Sequence, residues 1–374
     1  MKFTCIQEDL SRVLSIVSRA VSSKAVLPVT QNVLLSAEDS MLKVTGTDLN
    51  TTITTWIGAQ IEEDGCVTIP AKLLSDFVNA LPPETVEVEL TDKPIGIHIK
   101  CAGYESNISG VKAGDFPSVP TVDEGIGATI EAAVLKQAID RVAFAAADED
   151  SRPVLTGVKV EIKGENVTFA AADGFRLSVY SCTLAEAPDE DMEFLVRARA
   201  MSEMGRLLNI EEDVEFMVTE NTNHVLFRIG DVEVVSSLIS GAFPNYTQLI
   251  PAKHTTKAVL STDEFLRATK TASIFAREDS NIIRLQVGEK DKGPGHMTLS
   301  SQAGEVGDNT GEIEASVTGQ DAKIAFNSRY LTDILGVMDG DIEVELTSPT
   351  TPGVLRPVEG DDFVHVVMPM FVQW

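Results

Sequence analysis

The stretch Phe194-Leu195-Val196-Arg197-Ala198-Arg199-Ala200-Met201-Ser202-Glu203-Met204-Gly205-Arg206-Leu207-Leu208-Asn209 reads as the end of a strand running straight into a short amphipathic helix. The same grammar occurs twice more. Upstream it is Val67-Thr68-Ile69-Pro70-Ala71-Lys72-Leu73-Leu74-Ser75-Asp76-Phe77-Val78, and downstream Ile324-Ala325-Phe326-Asn327-Ser328-Arg329-Tyr330-Leu331-Thr332-Asp333-Ile334-Leu335. Lys72, Arg199 and Arg329 take the matching position, spaced by 127 and 130 residues. Phe116-Pro117 and Phe243-Pro244 repeat at the same 127-residue spacing. Solenoid repeats are several times shorter, so a period this long indicates three copies of a whole domain. The boundaries expected are 1–125, 126–252 and 253–374.

Composition fits that size. The chain has 374 residues and is 43% hydrophobic, enough for several packed cores. It has no run of 18 or more apolar residues, so no membrane span is expected, and Met1–Asp9 lacks the apolar core of a signal peptide. A cytoplasmic protein is expected. Cys5, Cys66, Cys101 and Cys182 are far apart and flanked by strand-like sequence, which predicts buried, reduced thiols.

Around the repeat marker the elements recur in order. Helices are predicted over 8–20, 71–81, 132–147, 198–209, 262–277 and 327–338. The first carries Leu10, Val13, Leu14 and Val17 on one face, the third Leu135, Ile139, Val142 and Ala146, and the fifth Phe265, Leu266, Thr269, Ala272 and Ala276. Alternating runs such as Met41–Thr47 and Thr51–Ile57 predict strands. Two helices and about eight strands per copy predict an α+β fold of antiparallel sheets with helices on one side.

The chemistry of catalysis is missing. The five histidines are isolated, with none at zinc-ligand spacing. Gly288–Gly295 lacks the Gly-Lys-Ser/Thr ending of a phosphate loop and reads as a surface hairpin. Asp148-Glu149-Asp150 reads as a solvated loop, because three consecutive carboxylates cannot converge on one ion. Asp173-Gly174 reads as a turn. No catalytic residue, metal or cofactor is expected.

Charge is more informative. The net charge is −27, which by itself opposes binding to phosphates. The six predicted helices nevertheless hold eleven bases (Arg12, Arg19, Lys72, Lys136, Arg141, Arg199, Arg206, Arg267, Lys270, Arg277 and Arg329) against eight acids. That is +3 on the helices and −30 on the rest. Glu8, Asp263 and Glu264 sit in first turns, where the helix dipole favours acids. The helix surfaces are therefore more basic than the totals show, and a surface lined by them could hold a polyanion that the remainder repels.

The whole chain resembles the bacterial DNA polymerase III beta subunit family, the replicative sliding clamps. The resemblance is carried by Met1-Lys2-Phe3-Thr4; Leu27-Pro28-Val29; Thr45-Gly46-Thr47-Asp48-Leu49; Ser151-Arg152-Pro153-Val154-Leu155-Thr156-Gly157; Ala172-Asp173-Gly174-Phe175-Arg176-Leu177; Gly241-Ala242-Phe243-Pro244-Asn245-Tyr246; and Val366-Val367-Met368-Pro369-Met370. It implies three domains of one fold and a head-to-tail homodimeric ring whose helices line a hole for double-stranded DNA. The helix bases Lys72, Lys136, Arg141, Arg199, Arg206, Arg267, Lys270 and Arg329 would then face DNA, as would the loops at Lys24 and Arg152. A ring linked to DNA can lose phosphate contacts without leaving, so a weak positive charge is enough.

The resemblance also implies a peptide pocket between the second and third domains for the polymerase III alpha subunit, the clamp-loader delta subunit and other proteins with a clamp-binding motif. Its residues by position are Leu155, Asp173, Gly174, Phe175, Arg176, Leu177, Pro244, Gln248, Leu249, Asn327, Tyr330, Pro352, Val366, Val367, Met368, Pro369 and Met370. Leu, Val, Pro and paired Met suit an adaptable apolar cleft. The sequence departs from the family at Ala172, where Thr is common, and at Phe175, where His or Tyr is common. It departs again at Phe371-Val372-Gln373-Trp374, where Arg-Leu is frequent. Glu149 and Val154 replace DNA-contacting residues of some relatives. Two other classes fit parts of the pattern: a β-rich adaptor with three peptide grooves, and a metal-dependent nuclease, which would need clustered carboxylates.

Overall fold

The computed structural model describes every residue except 23–26, 123, 150, 211, 220–222, 278–279, 289–294, 305–306 and 361. Lys24, Asp150 and most of the expected 288–295 hairpin lie outside the described residues. Six α-helices are present among those described: α1 (Gln7–Val17), α2 (Ala71–Asn79), α3 (Ala132–Val142), α4 (Ala198–Gly205), α5 (Thr262–Ala276) and α6 (Ser328–Leu335). All six were expected, but most are shorter at the C-terminal end. Residues 18–20 and 143–145 tighten into 3-10 turns, and Leu208 of the quoted stretch lies beyond its helix. The apolar faces are those read from the period. Leu10, Val13, Leu14 and Val17 are fully buried, as are Leu135, Ile139 and Val142. Burying each such side chain stabilises the fold by about 1.5–3 kcal/mol, so Leu14→Ala would leave a costly cavity under α1.

The start of each copy was not read from the sequence. Short strands Lys2–Ile6, Ile126–Glu131 and Thr256–Ser261 run without a break into α1, α3 and α5. In α1 and α5 no side chain caps the first turn, and in all three helices the first helical N–H is held by backbone. It donates to the carbonyl of a residue just before a later strand, from Gln7 to Glu84, Ala132 to Glu212 and Thr262 to Gly340. This equivalence is as good a marker of the repeat as the helices themselves.

All strand pairs among the described residues are antiparallel, and the chain divides into two compact units. One comprises 1–133, 184–190 and 202–238; the other comprises 134–183, 191–201 and 239–374. The first holds a five-stranded sheet and a nine-stranded sheet. That nine-stranded sheet runs from first-copy strands (Val111–Lys112, Gly65–Pro70, Asn32–Glu38, Met41–Thr47, Thr51–Gly58) into second-copy strands (Val232–Ser237, His224–Ile229, Asp213–Val218, Ile126–Glu131). The second unit holds a nine-stranded sheet built the same way from the second and third copies, and a four-stranded sheet of the third copy. Compactness thus does not follow the repeat, because the middle copy contributes half its strands to each unit. The joints are edge-to-edge pairings, with Thr55 opposite Val232 in one and Tyr180 opposite Phe363 in the other. Strand Gly307–Glu314, a polar run with no apolar alternation, was also not read from the sequence.

The cysteines correct one expectation. Cys5 and Cys101 are buried, but Cys66 is exposed on the outward face of its strand and Cys182 is only half-buried. Burial pushes the Cys5 and Cys182 thiols up to about 12, so neither supplies a thiolate.

Candidate nucleic-acid interface and partner cleft

Lys72, Arg199 and Arg329 are each the second residue of α2, α4 and α6, and each is exposed. A cation in a first turn opposes the helix dipole, at a cost of about 0.3–1 kcal/mol, and it adds its charge to the positive end. Three equivalent residues that stand against local stability point to a demand for positive potential. Arg267 and Lys270 are exposed along α5. Among the described residues no carboxylate lies within salt-bridge distance of any of these five.

Five of the other six helix bases are engaged. Lys136 pairs with Asp140 at 2.5 Å, and Arg206 with Glu203 at 2.5 Å. Arg19 also approaches Glu203, at 3.5 Å, and Arg12 pairs with Asp231 at 3.1 Å. Arg141 lies over the rings of Tyr180 and Phe363, 5.3 and 5.5 Å from their centroids. Arg152 is on no helix. Its guanidinium lies over Gly174, so close that a Cβ there would sit 3.1 Å from Nη1. Gly174 has φ +94°, a conformation that L side chains rarely adopt.

That glycine opens the second candidate site, which lies wholly within the second unit. The Asp173 carboxylate accepts from the backbone N–H of Phe175 (2.8 Å) and Arg176 (2.9 Å), fixing a tight turn. Phe175 is turned outwards and stacks on Tyr330 of α6, with centroids 6.4 Å apart. Met368 N–H donates to the Phe175 carbonyl at 2.8 Å, and Met370 N–H to that of Ala325 at 2.7 Å. Below this surface Leu155, Leu177 and Val366 share one buried cluster with Ala172, Phe243, Tyr246 and Val354. Pro244, Gln248 and Leu249 are exposed, and the Leu249 N–H is held by the Tyr246 carbonyl. Asn327 caps α6 by accepting from the Arg329 N–H. Val367 pairs with both Arg176 and Gly353, so Pro352 adjoins the same strands, and Pro369 is buried. The site is an apolar floor with exposed Phe175, Leu249 and Met368 around it.

Arg176 ties the floor to α6. It donates to Asp173 (3.0 Å), to Asp333 (2.5 Å) and to the Phe144 carbonyl (2.7 Å). Its guanidinium also covers the ring of Tyr330 at 4.7 Å. Burial, and then Asp173, push the Tyr330 hydroxyl above its ordinary value. Behind Arg176, His365 is fully buried with Nδ1 2.7 Å from the Ser178 hydroxyl. Burial, helped by the Arg176 charge, pushes its pKa down to about 3, so the imidazole is neutral. Asp333, Phe144, Ser178 and His365 were not read as site residues. Asp333 could have been, because it takes the position of Glu203 and Asp76 in the other two copies. Among the described residues no group of three His, Cys, Asp or Glu could hold a metal ion.

Comparison with known proteins gives one answer along the whole chain. Residues 1–120 match the N-terminal domain of the DNA polymerase III beta subunit, 129–245 its central domain and 247–371 its C-terminal domain. The chain is 32% identical to the beta sliding clamp of Synechococcus elongatus and 28% identical to that of Bacillus subtilis, each over 99% of both chains. The crystal structure of the Bacillus subtilis DNA polymerase sliding clamp superposes with a TM-score of 0.92 over 100% of both chains, at 28% identity. The DNA polymerase III beta subunit of Thermotoga maritima superposes at 0.90 over 100% of both, at 25% identity.

Proposed function

Because this chain belongs to the DNA polymerase III beta subunit family, the beta sliding clamps, we propose that it is a DNA sliding clamp that holds the replicative polymerase on its template. In this reading the protein performs no chemistry of its own. It encircles double-stranded DNA and presents a cleft for the polymerase alpha subunit, the clamp-loader delta subunit and other proteins with a clamp-binding motif. It works where the chromosome is, in the cytoplasm. The observation that carries the DNA-facing role is the exposed base, without an ion-pair partner among the described residues, at the same helix position in all three copies of a protein whose net charge is −27.

The repeat itself supports a second copy. Strands Thr51–Gly58 and Arg176–Thr183 are equivalent, and each pairs with the last long strand of the next copy: Val232–Ser237 for the first, Phe363–Val367 for the second. The two joints share one register when the copies are superimposed. The next pair in the series is Gly307–Glu314 and Tyr104–Ser109. Among the described residues both are sheet edges with one neighbour each. We infer that they pair between molecules, with Tyr104 opposite Gly311, Ser106 opposite Asn309 and Ile108 opposite Gly307. The more buried faces of the two strands then coincide. Two such joints close a ring of six domains lined by twelve helices. The test is retention after loading on nicked circular DNA. The complex should survive high salt on the circle and be lost on linearisation; equal loss from both forms overturns the topological mechanism.

A further inference from the structure

We propose that Phe371 and Trp374 form an aromatic extension of the partner cleft, built to take a peptide segment bearing an aromatic side chain beside acidic residues. The inference rests on the partner-cleft reading above. It starts from a third feature of the repeat. In each copy, the chain leaving the last strand makes a short backbone contact with the strand that precedes the second helix. Val111 pairs with Thr68, Ile239 N–H donates to the Leu195 carbonyl, and Met370 N–H to the Ala325 carbonyl. Four or five residues on stands an aromatic side chain: Phe116, Phe243 and Trp374. The first two are buried, each 8% exposed, whereas Trp374 is 49% exposed. The position that plugs the surface in two copies is left half open in the third.

Trp374 is not alone. Phe371 is 85% exposed, and Met368, three residues before it, is also exposed. Met368 is hydrogen-bonded to Phe175 at the cleft rim, so the exposed residues Met368, Phe371 and Trp374 form a strip along the chain that leads on from the cleft, with Pro369 buried and Met370 half-buried between them. Large apolar side chains left exposed beside a cleft are candidates for contact with a partner. Its chemistry is fixed by its flanks. Lys323 lies over the Trp374 ring at 5.9 Å, and at the other end Arg152 lies over Gly174. Both bases are exposed, and no carboxylate is within salt-bridge distance of either among the described residues. An aromatic strip with a cation at each end complements an acidic, aromatic peptide and repels a basic one.

Three synthetic peptides test this by isothermal titration: acetyl-Ala-Leu-Leu-Phe-amide, and the same core extended by Gly-Trp-Glu-Glu after it or Glu-Glu-Trp-Gly before it. At least one extended peptide should bind about tenfold more tightly than the core. Trp374→Ala and Lys323→Glu should each remove most of that gain and leave core binding unchanged. In a Trp56→Phe background Trp374 is the sole tryptophan of the protein. Adding an acidic extension with Phe in place of Trp should shift its emission to the blue, and the core should not. Equal affinity of core and extended peptides, or an equal gain from an extension with Lys in place of Glu, overturns the inference while the cleft stands. Failure of all three to bind overturns the cleft reading and the extension with it.

Discussion

The guanidinium of Arg176 has five N–H donors and two flat faces, and its surroundings use most of both. Two carboxylates, one carbonyl and the Tyr330 ring converge on it while its side chain is only 10% exposed. Removing the charge leaves Asp173, itself largely buried, without its partner. Arg176→Met should therefore lower the free energy of unfolding in urea by about 2–3 kcal/mol. Arg176→Lys should recover less than half of that, because one ammonium cannot reach three diverging acceptors and also stack. A full recovery by Lys would show that charge alone matters. His365, behind it, gives a pH dependence. Its pKa falls from 6.5 to about 3 on folding, so between those values the unfolded chain binds the extra proton. The stability associated with the neutral imidazole is present above about pH 6.5 and is lost as pH falls towards 3. By NMR the His365 ring should show no titration between pH 8 and 5; a midpoint inside that range would contradict its burial as a neutral base.

At the level of the element, the first turns of α2, α4 and α6 each carry a cation that opposes the helix dipole. Replacing Lys72, Arg199 and Arg329 together by Ala removes three cations that oppose helix dipoles, so the melting temperature should not fall. Binding of the loaded clamp to DNA should become less dependent on salt. Each lost phosphate contact flattens the logarithmic slope by about 0.9, giving up to about 2.7 per protomer. An unchanged slope would remove these residues from the interface. These helices were legible because burial imposes a 3.6-residue period on their apolar residues, and three copies of that period reinforce one another. Their ends were less legible, since the choice between an α-turn and a 3-10 turn at 18–20 or 143–145 depends on packing that local sequence does not encode. Strand Gly307–Glu314 was invisible for a related reason. One of its faces meets α5 and the other meets solvent, and Asp308, Asn309, Thr310, Gly311 and Glu312 show no alternation. At the cleft, positional resemblance reached the floor and rim but missed Phe144, Ser178 and His365. Phe144 holds Arg176 through its carbonyl, Ser178 bonds to the buried His365 behind it, and nothing in their spacing marks them.

The whole molecule is governed by one operation, an edge strand of one copy accepting the last strand of the next, performed twice within the chain. In the proposed dimer a second chain supplies the third, since an edge strand left open is liable to pair. The register inferred from the two internal joints makes the interface testable without a structure of the dimer. Residues directly opposite in an antiparallel pair have Cα atoms about 4.5–5.5 Å apart and side chains on one face, which suits a disulfide. With exposed Cys66 replaced by Ser, a chain carrying Ser106→Cys and Asn309→Cys should cross-link to a covalent dimer under mild oxidation. A chain carrying Ser106→Cys and Asp308→Cys should not, because a one-residue slip puts the second thiol on the opposite face. Closed at both joints, the cross-linked ring should no longer load onto circular DNA until reductant is added. Equal cross-linking of the two variants would show that the third joint does not repeat the register of the first two.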